Sequence, residues 1–211
     1  GMTRDEVAAR LPGILARLNP GGGTVAPRPE RATPQVWSRA IQTALGRDVG
    51  RNARMSAAQD ALRIAQAQGW QDNRHAFSHY AMGRVTQMTD PAAAQTHYQM
   101  ADTLYARTPG TTLHRAYVAT QRAGYAVTIG DGAGALALIE PHLPIAEASE
   151  NAALLATLML LKAEALEIEG RGIEARRVRL DSIGWARYGF GPDWAVRAKL
   201  REIASLNPRN G

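Results

Sequence analysis

Two glycine-rich corners, Gly130-Asp131-Gly132-Ala133-Gly134-Ala135 and Gly170-Arg171-Gly172-Ile173-Glu174-Ala175, begin 40 residues apart. Each is flanked on both sides by apolar residues at helical spacing, so each reads as the turn of a helix hairpin. Another 40 residues back from Gly130 stands Asp90-Pro91, a strong helix start, and 40 before that stands Gly50. Hairpins repeated at a fixed interval cannot bury their apolar faces alone, and each needs a neighbour to stack on. The composition agrees. In 211 residues, 45% apolar and 21% charged, there is material for one sizeable core or one short solenoid. Ala, Leu, Arg and Gln favour helix, whereas Val, Ile, Thr and aromatic residues are too sparse for a sheet-rich protein. The expected fold class is all-α.

Taken in order, the chain opens with Thr3-Arg4-Asp5-Glu6, a capping box, followed by an apolar stripe of Val7, Leu11, Ile14, Leu15 and Leu18. Residues 19–32 hold prolines and glycines and read as a linker. The expected division is therefore a terminal helix with its linker over 1–32 and a helical domain over 33–211. Thr33-Pro34 reads as N-cap and first helical position, and Gly46 and Gly50 mark that helix's end. Ser56-Ala57-Ala58-Gln59 reads as a capping box for the next helix, which ends at Gly69. Three hairpins follow over 74–108, 112–140 and 150–188, with Pro141 and Pro144 shortening or kinking the second helix of the middle one. Gly189-Phe190-Gly191-Pro192 breaks the chain, and a last helix from Asp193 to about Leu206 covers the open end.

The hairpins over 74–188 resemble tetratricopeptide repeats. In that family a small residue early in the second helix packs on the first helix. An aromatic stands four residues later and an alanine three beyond that. Ala94, Tyr98 and Ala101 match all three positions. Ala135 and Ala175 match the first, while Ile139 and His142, and Arg179 and Ser182, depart at the others. The 40-residue interval exceeds the family's usual length, so the repeats are extended or degenerate. The resemblance implies a short right-handed α-solenoid with a concave binding face and a C-terminal capping helix.

Net charge is +6, and only Lys162 and Lys199 among the 25 basic residues are lysine. Residues 1–109 carry 13 basic and 8 acidic residues, and residues 110–211 carry 12 and 11, so the positive excess lies in the first half. Such an excess attracts nucleic acid, anionic lipid or an acidic partner, and it is also what a GC-rich bacterial genome encodes. With no cysteine, disulfides, thiolate metal sites and cysteine nucleophiles are excluded. The longest apolar run, Ala152 to Leu161, is too short to span a membrane. Gly1 is set aside as a cloning remnant. If Met2 is the native start, no standard export signal follows it and the expected compartment is cytoplasmic; a removed leader would make it periplasmic.

No Ser-His-Asp set, Walker loop or carboxylate pair stands out, and neither a cofactor nor a metal is expected. Both glycine corners formally fit the dinucleotide fingerprint G-x-G-x-x-A, but that pattern has meaning only after a buried strand. His75 and His79 stand four apart with His97 on the partner helix, without the H-E-x-x-H pattern, and read as polar histidines on a hairpin surface. Arg171, Arg176, Arg177 and Arg179 face Glu164, Glu167, Glu169 and Glu174, which suggests mutual pairing. Between Trp185 and Trp194 lie four of the chain's twelve aromatics, read as a plug joining the last helix to the rest.

Tyr98 and Tyr125 are expected between helices. Tyr80, Tyr105 and Tyr117, with Arg84 and Arg122, are the candidate partner-binding residues of a groove, since a ring with a polar tip suits peptide recognition. The expected function is a non-enzymatic scaffold whose concave face takes a protein or peptide. The alternative is an Arg-driven nucleic-acid or anionic-surface binder, and a hydrolase with an unreadable site is the third.

Overall fold

The computed structural model describes residues 29–211, with side chains from Thr33 onward. The amphipathic stretch at Val7–Leu18 and residues 19–28 of the expected linker lie outside the described residues. The chain divides at Val36–Trp37 into two units, residues 1–36 and residues 37–211.

Helices follow one another with short turns: α1 Pro29–Leu45, α2 Arg51–Ala67, α3 Asn73–Thr86, α4 Pro91–Ala106, α5 Thr112–Thr128 and α6 Gly132–Ile139. A 3-10 turn, Glu140–His142, leads into α7 Leu143–Ala148, then α8 Ala152–Ile168, α9 Gly172–Phe190 and α10 Asp193–Ala204. A last 3-10 turn covers Pro208–Asn210. No strand occurs among the described residues, so the chain is all-α there.

The corners explain the order. Gly69, Gly130 and Gly170 take positive φ of 65°, 75° and 74°, the left-handed conformation that only glycine adopts cheaply. At Gly130 the amide reaches Val127 O at 3.0 Å, and the next amide, Asp131 N, reaches Ala126 O at 2.8 Å. The pair Gly170 N to Glu167 O (3.0 Å) and Arg171 N to Leu166 O (2.8 Å) repeats it. This double closure satisfies the last carbonyls of α5 and α8 and reverses the chain. Side-chain caps start α4, α6 and α8, whereas α9, after Gly170, has none. Asp90 Oδ1 accepts from Ala93 N at 3.0 Å, Asp131 Oδ1 from Gly134 N at 2.8 Å, and Asn151 Oδ1 from Leu154 N at 3.0 Å.

Packing then runs mostly between neighbours in sequence: α2 on α3, α3 on α4, α4 on α5, α5 on α6, and α8 on α9. The main exception is α8, which also meets α5, α6, α7 and α10, and α5 meets α7 as well. Its sequence is apolar all round, with Leu154, Leu155, Leu158, Leu160, Leu161 and Leu166 buried, as a central helix requires. Ala94, Tyr98, Ala101, Ala135 and Ala175 are all fully buried. The Tyr98 ring lies directly over Gly83, where an added Cβ would come within 2.5 Å of it. The Tyr98 hydroxyl donates to Gln87 Oε1, so the buried ring keeps a polar partner.

Three local expectations fail. The helix around Thr33-Pro34 starts earlier, at Pro29, and Pro34 sits inside it. There the proline forgoes one main-chain bond, to the carbonyl of residue 30, near enough to the start to be tolerated. Ser56 does not cap a helix, because α2 already begins at Arg51. Arg54 Nε donates to Ala44 O at 2.9 Å and Met55 packs on the core of α1, α2 and α3, so these residues hold the earlier turn. The stretch around Trp185–Trp194 is no plug. Trp185, Tyr188 and Trp194 are 40%, 83% and 70% exposed, and Phe190 alone of the four packs into the core.

Candidate functional site

Three helices open a hollow between them. On α3, Tyr80, Arg84 and the cap residue Gln87 stand at i, i+4 and i+7; on α5, Tyr117, Gln121, Gly124 and Thr128 repeat the spacing. Ala153, Thr157 and Leu161 stand at i, i+4 and i+8 on α8, and Lys199, Glu202 and Ile203 of α10 close one end. Each of α3, α5 and α8 is the first helix of its hairpin. The hollow measures about 850 Å³, within the range of binding clefts. Its wall is part apolar, from Leu154, Leu161, Phe190 and Leu206, and part amide and hydroxyl, from Gln87, Gln95, Gln121, Thr120 and Asn151.

Several wall groups are held in place. Asn151, the cap of α8, donates from Nδ2 to the Tyr117 hydroxyl at 2.6 Å. Lys199 Nζ pairs with Glu202 Oε1 at 3.1 Å. Arg84 is half-buried; its Nη1 donates to the Tyr80 hydroxyl at 3.3 Å, and its Nε is buried without a protein acceptor.

Of the five candidate residues, Tyr80, Arg84 and Tyr117 come together on this wall. Tyr105 does not. It is 2% exposed, on the floor of a small adjoining hollow of about 80 Å³ shared with Phe77, Tyr80, His114 and Tyr117. Burial pushes its hydroxyl pKa up. Arg122 also lies off the wall, 3.8 Å from Asp102, which holds Arg115 bidentately at 2.9 and 3.3 Å. Tyr125, expected between helices, is half-buried and lines the hollow. The wall residues that the sequence does not announce are the amides Gln87, Gln95 and Gln121 with Thr157. Their only signal is the shared spacing on one helix face, which solvated polar residues show equally.

The other constellations resolve as follows. The corners at Gly130 and Gly170 follow helices α5 and α8 rather than strands, so the context a dinucleotide loop requires is absent there. His79 is buried between α3 and α4, not on a hairpin surface. Its Nδ1 lies 3.1 Å from His97 Nδ1, and its ring stacks on His75 at 5.1 Å. Burial, with His75 and His97 beside it, lowers the His79 pKa to about 4. No group of three or more side chains able to hold a metal occurs among the described residues. Cross-helix pairing in the Arg/Glu run belongs to Arg179, which reaches Glu167 at 2.8 Å and Glu164 at 3.1 Å; Arg171 pairs with Glu174 beside it, and Arg176 and Arg177 are exposed. No described helix is long and apolar enough to cross a membrane.

Comparison with protein-family models, curated proteins and solved structures finds no match.

Proposed function

We propose that the chain is a binding protein, a short tetratricopeptide-like solenoid whose hollow takes a peptide or protein segment. The observation that carries the reading is the hollow itself. The first helices of three successive hairpins supply most of its wall, with Gln95 of α4 and Phe190 of α9 added, and first helices are where a stack of such hairpins presents a concave face. Its apolar patches suit side chains, while its glutamines, threonines and tyrosine hydroxyls suit main-chain amides and carbonyls.

Gly124 gives the test. A Cβ there meets only Leu206 Cδ1, at 3.7 Å, and Gly124 lines the hollow, so a large side chain placed there takes up its space. Dodecapeptides selected from a random library on the wild-type chain should lose about tenfold or more in affinity for Gly124→Trp, a difference of about 1.4 kcal/mol. Peptides that bind both proteins alike, or a selection that yields none, would contradict the reading.

A second reading has one observation in its favour. Trp185, Tyr188 and Trp194 are exposed beside Arg187 and Arg197, and exposed rings with arginines form stacking platforms for single-stranded nucleic acid. Oligonucleotide titration at two salt concentrations tests it: a steep salt slope favours this reading, and no binding removes it.

A further inference from the structure

The charged groups of the hollow do not balance. Lys199 and Glu202 pair with each other; the Glu202 charge also acts on Arg84, but neither Arg84 in the wall nor Arg47 at the turn after α1 has a carboxylate in direct contact among the described residues. Arg84 is the more telling. Tyr80 takes its Nη1, and its Nε/Nη2 edge makes no hydrogen bond to the described residues. Nε is also shielded from solvent, so water does not replace the missing acceptor.

Among the described residues Nε and Nη2 are engaged together three times elsewhere, each time by a carboxylate, while Arg54 gives Nε alone to the Ala44 carbonyl. Arg74 presents Nε and Nη2 to Asp72 at 3.0 and 2.7 Å, Arg115 to Asp102 at 2.9 and 3.3 Å, and Arg171 to Glu174 at 2.9 and 2.7 Å. The planar fork matches the two oxygens of a carboxylate, and a charged pair of this geometry is stronger than neutral hydrogen bonds. A half-buried guanidinium lacking that acceptor is poorly satisfied as it stands.

We propose that Arg84 is the point at which the hollow recognises an acidic side chain, an Asp or Glu within the bound segment. This rests on the peptide-binding reading above and adds the chemistry of the ligand. The guanidinium swings further into the hollow it already lines, so that Nε and Nη2 both reach the carboxylate. Tyr80, a turn away on α3, keeps the other side of the group oriented.

The test uses two pools of N-acetylated, C-amidated heptapeptides, randomised over uncharged residues, with Glu at the centre of one pool and Gln at the centre of the other. Blocking both termini leaves the central carboxylate as the only charge. The wild-type chain should retain the Glu pool about tenfold or more over the Gln pool, the discrimination expected of a charged hydrogen-bonded pair. Arg84→Met should abolish that preference. Arg84→Lys, which keeps the charge but has no fork, should lose most of it, and circular dichroism confirms that both variants fold. Equal retention of the two pools by the wild type overturns the carboxylate assignment and leaves peptide binding standing. A preference that survives in Arg84→Met overturns it too. If neither pool is retained, the peptide reading falls with it. If free glutarate displaces the Glu pool at concentrations no higher than the peptides need, the hollow is a small-acid site and the peptide part of the proposal is wrong.

Discussion

Gly83 and Gly124 are both interior to helices, and the surroundings of each decide what a methyl group would do. At Gly83 it would meet the Tyr98 ring at 2.5 Å, and that ring is fully buried and cannot retreat. Gly83→Ala should therefore overpack the α3–α4 crossing, at about 1–3 kcal/mol. At Gly124 the nearest atom is 3.7 Å away, so Gly124→Ala should raise stability by about 0.4–1 kcal/mol through the unfolded chain's lost freedom. Thermal melts of the two variants should move in opposite directions. His79 makes a pH prediction. Its pKa falls from 6.5 to about 4 on folding, so the unfolded chain binds more protons between those values. Stability from this group is complete above pH 6.5 and is lost as pH falls toward 4, by of the order of 1–2 kcal/mol after solvent screening. His97 and His142, also lowered by burial, act with the same sign. His79→Phe should make the slope of Tm against pH shallower in that window; parallel slopes for variant and wild type would show that His79 is not the group responsible. Sequence spacing could mark the tyrosines as a group but not their sides. Tyr117 is 40% exposed and Tyr105 2%, because which face of a helix meets a neighbour is decided by packing between elements.

The second helix of each hairpin meets the first through alanine. Ala175 is fully buried against Ala163 and Leu166, whereas Arg176 beside it is exposed. Ala175→Leu should cost roughly 1–3 kcal/mol, and Arg176→Ala about 0.5 kcal/mol or less. Melts that coincide would show the register drawn from Gly170 to be wrong. The end of the chain is tied by a different device. Glu164, 5% exposed, accepts from Arg179 at 3.1 Å, Asn207 Nδ2 at 2.9 Å and Asn210 Nδ2 at 3.2 Å. Arg209 adds a bond to Glu167 O at 2.9 Å. Asn207→Ala leaves the buried carboxylate short of a donor and should cost about 1–3 kcal/mol. Amide exchange over 205–211 should quicken with it; unchanged exchange there would mean that the segment is held by its apolar contacts instead. Helix corners and caps were legible because Gly130, Gly170, Asp90 and Asp131 act through local backbone geometry. The early starts at Pro29 and Arg51 were not, since capping-box letters at Ser56 also fit a helix interior. The plug expected of Trp185, Tyr188 and Trp194 fails because aromatic content carries no direction.

For the molecule as a whole, neighbour-to-neighbour packing places α3, α5 and α8 along one hollow and turns the outer face of α9 to solvent, with Ile173 84% and Leu180 60% exposed. Under the proposed binding role, two surfaces thus compete as the place of contact. The hollow was foreshadowed by Tyr80, Arg84 and Tyr117, but its depth and the glutamines around it depend on helix crossings that no local pattern records. Deuterium exchange on the chain, alone and saturated with a peptide selected on it, separates the two directly. Slowed exchange should fall on residues 80–87, 117–128 and 151–161, with α9 unchanged before Phe190. Protection confined to residues 173–188, with none along α3, α5 and α8, would contradict the hollow as the binding site.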